Sequence, residues 1–199
     1  MQAPGPTDAL LVVDVQNDFL PGGALGITGG DAIVEPINRM LGAWRRHGLP
    51  VFLSRDWHPA GHCSFAAQGG PWPEHCVAGS PGAEFCGQLS RSPSDIVISK
   101  ATRPNKDAYS ALDGTPLADA LQARGITRLF IGGLATDYCV RATGLDARRA
   151  GLDVVVLADA VCAVNVQPGA GARALAELAA AGCELATTNA TLHAMEGAA

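Results

Sequence analysis

Several kinds of feature are scarce in this 199-residue chain, and each scarcity excludes something. Charge is sparse: Asp, Glu, Lys and Arg make up 17% of the residues, and the net charge is -5. No basic footprint is left to neutralise a phosphate backbone, which argues against nucleic acid as a partner. No apolar run is long enough to cross a bilayer; the best, Ala9 to Val13, is stopped by Asp14, so no membrane partner is expected. The opening MQAPGPTD has neither the basic nor the apolar region of a signal peptide, and the expected location is cytoplasmic. The six cysteines are then expected to be reduced, and none shows C-x-x-C spacing. No G-x-S-x-G occurs and no histidine lies near Cys139 in sequence, so a serine hydrolase has little support. There are no internal repeats and no low-complexity tails.

Against this, apolar residues make up 48%, enough for a folded core and a single domain over residues 1–199. Ala9 to Val13 reads as a central parallel strand buried on both faces. Further strands are expected at Pro50 to Ser54, Asp95 to Ser99, Leu129 to Ile131 (broken by Gly132-Gly133), Asp153 to Leu157 and, weakly, Glu184 to Thr187. Helices are expected after Asp31 as cap, after Thr115-Pro116, from about Tyr138 to Ala150, and over Pro168 to Ala181. Alternating strands and helices imply a three-layer α/β/α domain with a mainly parallel central sheet. A long loop region at about 56–94, rich in Gly, Pro and aromatic residues, interrupts it.

In such sheets ligands bind beyond the carboxyl ends of the strands. Asp14, Asp56, Lys100 and, one turn on, Cys139 fall there. A thiol at a helix start meets unpaired N–H groups and partial positive charge, which favour thiolate and leave amides to hold an oxyanion. Taken alone, Asp14 fits a helix cap as well as a base, and Lys100 fits a solvated strand edge. Together with a thiol they have a mechanism: the carboxylate takes the thiol proton and the ammonium offsets the charge. Asp56 and His58, alternating by two on an extended segment, point to one side, and His62 and His75 are available to complete a metal site. Three N/O ligands with open positions suit Zn, Fe or Mn, although loop histidines are also often solvated. Phe19, Trp72 and Tyr109 lie in loops where aromatics either line a pocket for a flat ligand or pack beneath the loop.

The segments LLVVDVQNDFLPGGAL, SRDWHPAGHCSF, WPEHCVAGSPGAEF, SKATRPNKDAYSAL, GGLATDYCVRATGLDA and VNVQP, in that order, resemble the nicotinamidase (pyrazinamidase) group of the isochorismatase-like cysteine hydrolase superfamily. The resemblance implies an amidohydrolase acting on a linear amide C–N bond. It would convert nicotinamide to nicotinate and ammonia, and pyrazinamide to pyrazinoate, in NAD salvage, with a homo-oligomer allowed. It implies a Cys139-Asp14-Lys100 triad, an oxyanion hole from the amides of Ala135 and Cys139, and a cis peptide at Leu134-Ala135. It also implies one divalent metal ion on Asp56, His58 and His75, with His62 an outer group or an added ligand. Phe19 and Trp72 would sandwich the ring, with Tyr109 and Leu134 also at the substrate. Two positions depart from the pattern: Cys63 in GHCSF, and Ala101 where glycine commonly follows the lysine. Isochorismatases and carbamoylsarcosine-type amidases share the triad surroundings but not the metal set. Alternatives are an amidase for another small amide, or a non-catalytic ligand-binding member of the fold.

Overall fold

The apolar run near the start of the chain forms β1 (Asp8–Val13), buried along its whole length at the middle of a six-stranded sheet. The other strands are β2 (Val51–Asp56), β3 (Ile96–Lys100), β4 (Arg128–Leu134), β5 (Asp153–Cys162) and β6 (Glu184–Ala186). Their order is β3-β2-β1-β4-β5-β6, with every pairing parallel. This computed structural model describes residues 2–197; residues 1, 198 and 199, at the ends of the expected domain, lie outside the described residues.

The helices are α1 (Val34–Arg46), α2 (Leu117–Gln122), α3 (Arg141–Arg149), α4 (Ala170–Ala180) and α5 (Thr188–Glu196). The pleat sorts β1 between two cores. Leu10 and Val12 face a cluster with Ile37, Leu41 and Trp44 of α1 and Met195 of α5. Ala9, Leu11 and Val13 face one with Leu117 and Leu121 of α2, Ala147 of α3 and Leu178 of α4. Two helical layers thus cover the sheet, giving the expected α/β/α architecture. The chain leaves β1 toward β2 on one side and resumes at β4 on the other, so the carboxyl ends of β1 and β4 form the switch point where such sheets open a crevice.

Some boundaries differ from the sequence reading. β4 runs through Gly132-Gly133 to Leu134, because those glycines serve close approach: a Cβ on Gly133, whose φ is +126°, would sit 2.0 Å from the Val13 carbonyl oxygen. β5 continues through Ala158-Asp159-Ala160 to Cys162, across a register shift against β4. Asp31 lies in a short 3-10 turn, Gly30–Ile33, and no side chain caps α1. Thr115 does receive the Leu117 N–H on Oγ1 at 3.2 Å, starting α2. The C-terminal α5 was not expected; Thr187 caps it by accepting the Ala190 N–H, and Thr188 donates to Asp159.

Candidate active site

β2 and β3 end on Asp56 and Lys100, while Asp14 follows β1 with φ +50°, turning the chain off the sheet. Lys100 is the hub. Its Nζ lies 3.0 Å from Asp14 Oδ2, 2.5 Å from Asp56 Oδ1 and 3.4 Å from Cys139 Sγ, and it donates to the Ala108 carbonyl at 3.2 Å. Lys100, Asp14 and Cys139 are 1%, 0% and 6% exposed, so these charges interact with little screening by water. Ser54 Oγ donates to Asp14 Oδ1 at 2.7 Å. Asp14 Oδ2 is buried with no aligned hydrogen-bond donor among the described residues, which leaves it an acceptor for a proton from the neighbouring thiol.

Burial pushes the Asp14 carboxyl above its ordinary value, against the pull of Lys100. The same burial acts on Asp56, but there Lys100 and His58 outweigh it and the value falls. Burial opposes the charge on Lys100, yet Asp14 and Asp56 together hold its ammonium well above the usual range. Burial also drives the Cys139 thiol well up, with Lys100 opposing. Cys139 sits in a wide π turn, Thr136–Val140, ahead of α3, where the amides of the turn favour thiolate and desolvation opposes it. A base and a cation have to act on it together.

Asp56, His58 and His75 form a second cluster, with one ligand atom of each within 4.8 Å of the others. His58 Nδ1–H donates to the Ala101 carbonyl at 3.3 Å and His75 Nδ1–H to the Pro73 carbonyl at 2.8 Å. Both bonds leave the Nε2 lone pair free, and His58 Nε2 is buried with no partner among the described residues. Burial lowers the His58 pKa to about 4, so its ring is neutral near pH 7. Two imidazole Nε2 atoms left unpaired by their Nδ1 bonds, beside a carboxylate, fit a divalent cation. His62 differs. Its Nε2–H donates to the Lys106 carbonyl at 3.1 Å and its Nδ1 accepts from Ser64 Oγ at 2.8 Å, so the ring has no lone pair to spare. It stacks on His58, with centroids 4.3 Å apart.

A pocket enclosing about 440 Å³, part of it open to solvent, joins the two clusters. Cys139 and Ala135 line it beside Asp56, His58 and His75, with Phe19, Trp72 and Tyr109 in the walls. Trp72 Nε1–H donates to Tyr109 Oη at 3.0 Å, and Trp72 meets Tyr138 edge-on with centroids 5.0 Å apart.

A model of the isochorismatase domain matches residues 8–190. The nicotinamidase of Escherichia coli is 41% identical over 203 aligned positions, covering 92% of this chain and 95% of its own. The chain belongs to the isochorismatase family. Among solved structures, pyrazinamidase of Pyrococcus horikoshii in complex with zinc is 45% identical with a TM-score of 0.88, covering 92% of this chain and 99% of that one. PnC1 from L. infantum in complex with nicotinate is 38% identical with a TM-score of 0.87, covering 96% and 97%.

In this isochorismatase-family chain the residues singled out from sequence mostly converge. Asp14, Lys100 and Cys139 meet, as do Asp56, His58 and His75, and the Leu134-Ala135 peptide is cis. Leu134 is the exception: it is wholly buried in the core on the α1 side, and the pocket wall is formed by Ala135 instead. Tyr138 in the wall was missed as a pocket residue, although its place beside Cys139 was a visible signal. Gln16 was missed as well. Its side-chain amide donates to the Asp56 carbonyl at 2.8 Å and accepts the Asp56 N–H at 2.8 Å, gripping that residue as a neighbouring strand would. Among the described residues no helix is long and apolar enough to cross a membrane.

Proposed function

We infer that this chain is an amidohydrolase that converts nicotinamide to nicotinate and ammonia, and pyrazinamide to pyrazinoate. One observation carries the reading: a buried thiol, its prospective base and a buried ammonium sit on one side of a small aromatic pocket whose other side holds a three-residue metal cluster. Likeness to nicotinamidases over nearly the whole chain supports it. The flat ring lies between the aromatic walls of Phe19 and Trp72, with Tyr109 beside it. Asp56, His58 and His75 would hold a divalent ion, of zinc, iron or manganese, with His62 stacked on His58. When bound, such an ion would supply a Lewis acid at the pocket.

Asp14 Oδ2 takes the Cys139 Sγ proton as Lys100 stabilises the developing thiolate. Burial raises the proton affinity of the base and of the thiol alike, so the transfer depends on the Lys100 ammonium beside the developing thiolate. The thiolate attacks the carboxamide carbon, forming the C–S bond, and the oxyanion is held by the amides of Ala135 and Cys139. As the C–N bond breaks, Asp14 returns its proton to nitrogen and ammonia leaves a thioester. Asp14 then deprotonates water for attack on that carbon, and collapse releases the carboxylate with Cys139 reprotonated. The test is ammonia release from nicotinamide by the purified protein, with and without chelator. Release that falls with chelator and returns with metal is expected; no release from either amide under any of the three metals overturns the reading.

A further inference from the structure

Asp18 belongs to neither cluster, yet its carboxylate fastens several parts of the pocket to one another. It lies beside Phe19 in the short turn Asn17–Phe19, half-buried. Its Oδ2 accepts the Cys76 N–H at 2.7 Å and its Oδ1 the Ala24 N–H at 3.2 Å. Cys76 directly follows His75, is fully buried, and takes a left-handed backbone with φ +47°. Its carbonyl in turn accepts the His58 N–H at 3.0 Å, and the His58 carbonyl accepts the Ala78 N–H at 2.8 Å. The residue after His75 is thus gripped on its N–H side by the Phe19 turn and on its C=O side by His58. Phe19 also meets the His75 ring, with centroids 5.7 Å apart.

Gly82 gives an independent mark of the same arrangement. A Cβ there would lie 2.2 Å from Asp18 Oδ2 and 2.4 Å from Oδ1, so only a glycine leaves room for the carboxylate. The strand-like bridge Gln16 to Phe85 and the bond from Asn17 Nδ2 to the Pro81 carbonyl, 2.8 Å, hold this loop against the turn, so backing away is hindered. Gly82 has φ outside the left-handed region, so its lack of a side chain answers to the carboxylate and not to backbone need.

We propose that Asp18 is a positioning residue that sets His75 against His58, so that metal affinity and the Phe19 wall depend on one carboxylate that touches neither ion nor substrate. This rests on the metal reading above, and the test separates the two. Zinc affinity is measured by competition with a chromophoric chelator on stripped protein. Wild type binding one equivalent supports the metal reading; no binding by wild type overturns that reading and this proposal with it. Asp18→Ala is expected to weaken zinc by about 10- to 100-fold, the usual cost of losing an outer partner. Asp18→Asn, which keeps one acceptor for Cys76, recovers most of that loss. Gly82→Ala, which displaces the carboxylate without removing it, weakens zinc comparably in the wild-type background and has no effect in Asp18→Ala, where the space is free. Zinc affinity of Asp18→Ala within twofold of a zinc-binding wild type overturns the proposal, as does an equal Gly82→Ala effect in both backgrounds. Should Asp18→Ala fail to fold by circular dichroism, the comparison of Asp18→Asn and Gly82→Ala with wild type decides: unchanged affinity in both overturns it, and weakening by Gly82→Ala alone supports it.

Discussion

The two walls of the pocket are built by different means. The wall holding Asp14, Lys100 and Cys139 stands on the ends of β1 and β3 and on the turn after β4, with positions fixed by sheet hydrogen bonds and core packing. The wall holding His58, His75, Phe19 and Trp72 is loop, held by side chains that grip backbone: Gln16 on Asp56, Asp18 on Cys76, His62 on Lys106. Asp56 joins them, giving one oxygen to Lys100 and turning the other toward His58, 3.8 Å away. A sheet edge suits groups that must stay desolvated and aligned, whereas a loop wall adapts to ring and ion. Under the proposed function, chemistry falls to the first wall and recognition to the second.

The sharpest way to break that division is to remove one group from each. Cys139→Ala should lower kcat/KM for nicotinamide by about 10⁴-fold or more, as expected for loss of a nucleophile, while leaving zinc affinity within about twofold. His58→Ala should do the reverse in binding, losing zinc affinity by about 100-fold or more. It should also leave Cys139 open to alkylation by iodoacetamide. If Cys139→Ala also lost the metal, the two walls would not be separable.

Lys100→Met tests whether the strand-end wall is held by its charges. Removing the ammonium leaves two buried carboxylates facing each other, and loss of one partner from a buried ion network costs about 3–5 kcal/mol. Urea unfolding near neutral pH should show a drop of that size, shrinking in acid as the carboxyls take up protons. A change below about 1 kcal/mol would mean that packing alone holds the wall.

The same contrast decides what the sequence could reveal. Ala9 to Val13 is apolar on both faces, so its strand, its central place and the position of Asp14 at its carboxyl end follow from residue types alone. Asp56-x-His58 was readable because period-two spacing survives at the end of a strand. The opposite shifts of Asp14 and Asp56 were not readable. They depend on which oxygens face Lys100 and on His58 lying beside only one of them. The supporting roles of Gln16 and Asp18 were hidden for a similar reason: each bonds to backbone tens of residues away, and backbone partners leave no trace in residue types. Leu134 was misplaced because one residue decides which side of a strand end faces the pocket.

Those opposite shifts give a smaller, pH-dependent effect. Asp14 must be ionised to take a proton, and its value is raised, so kcat/KM should fall with acid at a pH above that of an ordinary aspartate. For stability the signs oppose. A raised carboxyl stabilises the fold at low pH and loses that contribution as pH rises through its folded value. A lowered one, Asp56, contributes at higher pH and loses it as pH falls. Asp14→Asn mimics the protonated form, so it should gain stability on wild type as pH rises above the ordinary aspartate range in urea unfolding. A constant difference above that range would mean Asp14 titrates normally.

The smallest expected effect lies where the walls touch. Ala101 follows Lys100 with φ +51°, a left-handed conformation that costs a non-glycine residue about 1 kcal/mol, and its carbonyl receives the His58 Nδ1–H. Ala101→Gly relieves that strain but frees the unfolded chain, at a cost of roughly 0.5–1 kcal/mol. The two terms nearly cancel, so the net change in unfolding free energy should be stabilising by no more than about 1 kcal/mol. The carbonyl stays in place because β3 fixes Lys100 against Asp56 in register. Zinc affinity should therefore move by less than about twofold. A large loss of zinc with unchanged stability would show that this backbone turn, and not the sheet beneath it, aims His58.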